Sequence, residues 1–190
     1  MRSTYIDIID QDIVFGLMNN NKKLKSFISD FPSYDNIISH SEKKKKEFSK
    51  ENRIRLVNEI KEQYKGIKIS KELNNNINSL LNEKTFSVTS GHQLSLFSGP
   101  IYFIYKIIST IKIVSELNKK SKKQKFVPVF WLASEDHDFD EIAKVNISGK
   151  SLKWKKETLN QPVGKINSNN IEKVIKEYKN QIIDSKYSSK

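Results

Sequence analysis

Apolar residues return at helical spacing through the first 84 residues and alternate at strand-like spacing immediately afterwards. Phe15, Leu17, Leu24, Phe27, Ile28 and Phe31 fit short helices that break at Pro32. The lysine run 43–46 then opens a long polar helix in which Ile54, Val57, Ile60 and Tyr64 share one face. Gly66 stands where a C-terminal cap belongs. Ser70 is placed to cap a further helix whose apolar face is Leu73, Ile77, Leu80 and Leu81. Residues 1–84 therefore read as a mostly helical segment.

The pattern changes at Thr85. Phe86 and Val88 alternate with polar residues in a short strand, and a Gly- and Ser-rich loop follows over 90–99. Pro100 suits the first residue of a helix, where a missing N–H costs nothing. That helix presents Ile101, Ile104, Ile108, Ile111 and Val114 on one face and ends near Leu117. A polar connector, 119–125, leads to the almost continuous apolar run 126–132. Such a run reads as a buried strand, with Pro128 near its start and Trp131 in the core. Strand, helix and strand make a βαβ unit with parallel strands and a right-handed crossover. A hairpin is expected next, 145–147 and 152–154 about a turn at Gly149-Lys150. An amphipathic helix carrying Ile171, Val174, Ile175, Tyr178 and Ile182 closes the pattern before the polar stretch 184–190. The expected organisation is a helical segment 1–84, a βαβ unit 85–148, and a hairpin and helix 149–190 that continue the core incompletely or form an insertion. Two parallel strands bury too little to make a core, so the chain is expected to be the truncated N-terminal piece of a larger α/β protein.

Charge and composition narrow the classes. The formal net charge is +12, yet arginine occurs only as Arg2, Arg53 and Arg55. Lysines without arginine forks suit a solvated surface better than a nucleic-acid interface, so no specific nucleic-acid partner is expected. The absence of cysteine excludes disulfides and thiolate metal sites within these residues. Lys106 and Lys112 interrupt the best apolar run, and no apolar core follows a basic start. No membrane span or signal peptide is expected, and the default compartment is the cytoplasm.

Ligands of open α/β sheets bind beyond the carboxyl ends of the strands. The first such loop carries Thr89, Ser90, Gly91, His92, Gln93, Ser98 and Gly99 ahead of a helix N-terminus, where backbone N–H groups favour phosphate or carboxylate. No Gly-Lys-Ser/Thr ends it, so it is not a Walker loop, and an ordinary strand-to-helix turn is the plainer alternative. The second loop holds Glu135, Asp136, His137, Asp138, Asp140 and Glu141. These carboxylates could hold Mg²⁺, orient an amine or act as a general base, with His137 as acid or base. Its plainer alternative is an acidic helix start capped by Asp136 or Asp138. Asp136, His137 and Asp138 are the candidate catalytic group. Glu135 joins the first-loop residues as candidate substrate or nucleotide contacts. No histidine metal site is expected, because His40, His92 and His137 lack compact ligand spacing.

Val88-Thr89-Ser90-Gly91-His92-Gln93, then Leu96-Phe97-Ser98-Gly99-Pro100-Ile101-Tyr102-Phe103-Ile104-Tyr105-Lys106, then Pro128-Val129-Phe130-Trp131-Leu132-Ala133-Ser134-Glu135-Asp136-His137-Asp138-Phe139-Asp140-Glu141-Ile142 resembles the bacillithiol biosynthesis cysteine-adding enzyme family. The likeness is strongest over residues 85–147. His92 departs from it, since glutamine is the expected residue there. The resemblance implies a Rossmann-like core related to class I aminoacyl-tRNA synthetases, with helical insertions and a coiled coil. It implies a ligase that joins cysteine to glucosaminyl-malate through an amide, with both molecules as small-molecule partners. ATP or another nucleotide and Mg²⁺ are the cofactors such a reaction calls for, and the full-length protein is a candidate homodimer. Two other readings stay open: a related nucleotidyl-transfer or aminoacyl-ligase enzyme on the same core, and a lysine-rich RNA-binding module without catalysis.

Overall fold

The structure, a computed structural model, describes residues 12–147, 149–156 and 160–182. Residues 1–11, 148, 157–159 and 183–190, the polar stretch 184–190 among them, lie outside these. Two compact units emerge, one of residues 1–87 and 114–127, the other of residues 88–113 and 128–190.

The first unit is mostly helical. Helix α1 (Asp12–Met18) is followed by a 3₁₀ turn, Lys22–Leu24, and α2 (Tyr34–Lys44) starts just after Pro32. Ser33 caps α2 by accepting from the Asn36 N–H. The lysine run does not open the next helix, as its composition suggested. It ends α2, and α3 (Lys50–Gln63) begins afresh behind its own cap, Ser49. The break falls at Phe48, which is extended (φ −125°, ψ 106°). Ser70 caps α4 (Lys71–Ser79), and Gly66 takes φ +78° in the turn beyond α3. Val57, Ile77, Leu80 and Val127 form the core of this unit, whereas Leu81 is exposed. Arg53 is buried and donates to the carbonyls of Leu80 (3.0 Å), Thr85 (3.1 Å) and Glu83 (3.4 Å). Its guanidinium thus fastens α3 to the turn that launches the first strand, using backbone acceptors in place of a carboxylate.

Strands β1 (Thr85–Gln93) and β2 (Lys125–Ala133) are neighbours in a two-stranded parallel sheet. Helix α5 (Ile101–Lys120) connects them. Successive residues of a strand face opposite sides. Within the first unit, Val127 packs on the α3 and α4 side chains, while the Asn118 side chain brackets the Phe126 peptide, accepting from its N–H and donating to its carbonyl.

Two expectations fail here. Helix α5 does not bury the stripe Ile101, Ile104, Ile108 and Ile111, which is 41–73 % exposed. The inward stripe is Phe103, Ile107, Thr110, Val114 and Leu117. The helix is apolar almost all round, so periodicity could not choose its face, and a threonine on the buried side misled the reading. Trp131 is likewise no core residue: it is 57 % exposed, and its indole N–H reaches Glu135 (3.0 Å).

In the second unit, a short helix α6 (Phe139–Ile142) precedes β3 (Lys144–Ile147) and β4 (Lys150–Lys153), which pair antiparallel as the expected hairpin, although Lys150, expected in the turn, is already paired with Ile147. Gly149 supplies the left-handed turn residue at φ +75°. A 3₁₀ turn, Val163–Lys165, leads to α7 (Ile171–Gln181). The core of this unit is Phe139, Ile142, Ala143, Leu152, Trp154, Val163 and Val174. Among the described residues no helix is long and apolar enough to cross a membrane.

Candidate functional site

Strand β1 is longer than its alternation suggested, so Thr89, Ser90, Gly91, His92 and Gln93 are strand residues. Only residues 94–100 remain as loop. Gly91 does not open a space for ligand. A Cβ there would lie 3.0 Å from the Trp131 carbonyl oxygen and 3.1 Å from its Cβ, so glycine allows the close approach of β2. Thr89 is exposed and Ser90 half-buried.

His92 is buried, with Phe103 edge-on to its ring at 5.4 Å. Its Nδ1 lies 2.9 Å from the Gln93 carbonyl, which can only accept, so Nδ1 carries the proton. Nε2 then accepts from the Tyr102 hydroxyl at 2.9 Å. This histidine anchors the first turn of α5 to the end of β1 rather than facing solvent.

Gln93, one residue on, points to the opposite side of the strand and reaches the acidic loop. Its Nε2 donates to Asp136 Oδ2 at 3.1 Å. Asp136 Oδ1 accepts from the backbone N–H groups of His137 (2.7 Å) and Asp138 (3.4 Å). The Gln93 amide first, and the two backbone amides after it, hold the Asp136 carboxyl below the ordinary carboxylate range against a smaller opposing desolvation. Asp136 is half-buried, and His137 beside it is exposed.

The other carboxylates of the loop disperse. Asp138 caps α6, accepting from the Glu141 N–H at 3.0 Å. Glu135 accepts from the Trp131 indole, and Asp140 pairs with Lys153 at 2.6 Å. Among the described residues no three His, Cys, Asp or Glu side chains converge to hold a metal ion. The donor set is therefore no protein-only Mg²⁺ cage.

The loop between β1 and α5 is under strain. Phe97 takes φ 50°, ψ 42°, and Ser98 takes φ 66°. For non-glycine residues such conformations cost on the order of 1–3 kcal/mol each and persist only where surroundings impose them. Gly99 follows at φ 58°, ψ −151°, a region essentially reserved for glycine, and a Cβ there would lie 2.7 Å from Ser95 Cβ. Ser98 is exposed directly before the first turn of α5.

Two residues of this region carried no role in the sequence reading. Lys106 donates to the Gly91 carbonyl at 3.1 Å, and its ammonium lies 5.5 Å from the Tyr102 ring centroid. Tyr102 holds His92. Their separation by four residues, one helical turn, was the available signal.

An α/β unit with its polar residues gathered at the carboxyl ends of two adjacent parallel strands defines a Rossmann-like class. The family model described as "Bacillithiol biosynthesis BshC, N-terminal Rossmann-like domain" matches residues 1–190, and the chain belongs to that family. It is 46 % identical over 151 residues to the "Putative cysteine ligase BshC" of Flavobacterium johnsoniae, covering 80 % of this chain and 28 % of that protein. The protein of the same name from Flavobacterium psychrophilum is 42 % identical over 143 residues, covering 75 % of this chain and 27 % of that protein. That of Staphylococcus aureus strain Newman is 46 % identical over 100 residues, covering 51 % of this chain and 18 % of that protein. The chain thus spans little more than a quarter of the length of the first two relatives.

Proposed function

We propose that this chain supplies substrate-facing loops of a ligase that joins the carboxyl group of cysteine to the amine of glucosaminyl-malate, the closing step of bacillithiol synthesis. The observation that carries this reading is the Gln93–Asp136 hydrogen bond, which joins the carboxyl ends of β1 and β2 and keeps one carboxylate ionised beside an exposed histidine. An ionised, half-buried carboxylate suits an ammonium partner, and Asp136 would orient the cysteine amine. His137 would take the proton released when the glucosamine nitrogen attacks the cysteine acyl carbon. In that step a C–N bond forms and the bond from the acyl carbon to its leaving group breaks. ATP, when bound, would supply the activation that makes the carboxyl oxygen a leaving group. Ser98, the Gly99 backbone and the first turn of α5 would receive its phosphate, and Mg²⁺ would come with it.

A chimera tests this reading. This chain would replace the corresponding Rossmann-like domain of the Flavobacterium johnsoniae relative, in cells deleted for the native protein. The proposal expects bacillithiol to accumulate, measured as its labelled thiol by mass spectrometry. Accumulation of glucosaminyl-malate with no bacillithiol, from a chimera that is soluble and folded, would contradict it.

A further inference from the structure

Both candidate loops are gripped by the segment 160–182. At the acidic loop the grip is made by backbone. The Val163 N–H donates to the Asp136 carbonyl at 2.7 Å, and the Gly164 N–H to the Ser134 carbonyl at 2.8 Å. A Cβ on Gly164 would lie 2.7 Å from Ser134 Cβ and 2.9 Å from its carbonyl oxygen. Glycine is required there for contact rather than for conformation.

At the other loop the grip is aromatic. Tyr178 of α7 stacks on Phe97, with ring centroids 3.9 Å apart and planes 11° apart. Phe97 is the residue held at φ 50°. Phe97 and Tyr178 also pack against the core cluster that contains Val163 and Val174. A bulky residue in the left-handed region returns to ordinary backbone angles unless something opposes it. The stacked tyrosine is such an opposing contact, and its release would move Ser98 and Gly99.

We propose that Tyr178 and Gly164 are positioning residues of the candidate site, one imposing the strained turn before α5 and the other fixing the peptide that presents Asp136. The grip stands on geometry alone, while its catalytic consequence rests on the ligase reading above. Substrate geometry would then depend on a segment that touches no substrate.

Residue-resolved amide exchange on this chain tests the grip. The Gly99 N–H, bonded to the Leu96 carbonyl, reports on the strained loop, and the Val163 N–H reports on the acidic loop. The Trp154 N–H, bonded to the Ala143 carbonyl, reports on the surrounding core. Tyr178→Leu should speed Gly99 exchange about tenfold relative to Trp154 and leave Val163 unchanged. Gly164→Ala should do the reverse. Tyr178→Phe keeps the ring and should match the wild type. Unchanged exchange at both reporters would overturn the proposal, as would equal acceleration at all three sites, which marks a merely structural role. In the chimera, Tyr178→Leu should raise the KM for ATP, and Tyr178→Phe should restore it. A chimera inactive even with the wild-type sequence would sink the ligase reading and leave the exchange contrast to decide the grip.

Discussion

The loops that follow β1 and β2 leave the same end of adjacent parallel strands, yet they are built in opposite ways. The first is strained and held by side chains: Phe97, Ser98 and Gly99 all take positive φ, and the Tyr178 ring covers Phe97. The second is satisfied by hydrogen bonds. Asp136 accepts from two neighbouring backbone amides, Asp138 caps α6, and the Ser134 and Asp136 carbonyls take the Gly164 and Val163 N–H groups. The difference separates two ways of preparing a site. Strain places backbone groups where an unconstrained chain would not leave them. Other contacts occupy the carboxylates of Glu135, Asp138 and Asp140, and Asp136 is the one tied by a side chain to the neighbouring strand.

The largest effect should come from the strained side. Gly99→Ala forces a Cβ into contact with Ser95 at backbone angles reserved for glycine, and should cost about 2–4 kcal/mol. On the satisfied side, Asp138→Ala removes one cap and should cost about 1 kcal/mol. Thermal or denaturant melts of the two variants give the order directly, and equal losses would break the contrast.

A smaller effect concerns charge. The folded carboxyl of Asp136 titrates below its ordinary value of about 3.9. Its contribution to stability is therefore fully present above that value and is lost as pH falls through the lower, folded midpoint. Gln93→Leu removes the first cause of the depression, so the midpoint should move upward, read as the ¹³C shift of the Asp136 carboxyl. An unmoved midpoint would mean that the backbone amides alone hold the charge.

Much of this was legible in the chain. Ser70 as a cap, Gly149 as the hairpin turn and the βαβ order each follow from a local rule that tertiary packing did not override. The rest needed contacts. The β1 end Ser90-Gly91-His92 resembles a loop by composition, and only the close approach to Trp131 explains why its glycine belongs in a strand. Helix α5 offers apolar residues on both sides, so its buried face depended on what Phe103 could meet, namely His92 and Phe130. The acidic cluster and an Asp138 cap were visible, but the Asp140 ion pair and the strand-linked Asp136 were not, because each of these depends on a partner distant in sequence. Lys153 for Asp140 and Gln93 for Asp136 are such partners.

The central claim is that Asp136 is a working carboxylate and not one more helix-start acid. Asp136→Asn and Asp140→Asn each remove one charge at nearly constant size, and both fit the chimera with the Flavobacterium johnsoniae relative. Bacillithiol output measured beside the melting temperature decides between them. Asp136→Asn should lower output about a hundredfold with a small change in melting, while Asp140→Asn, which loses only an exposed pair with Lys153, should keep it. Equal output from the two variants and the wild type would contradict the account.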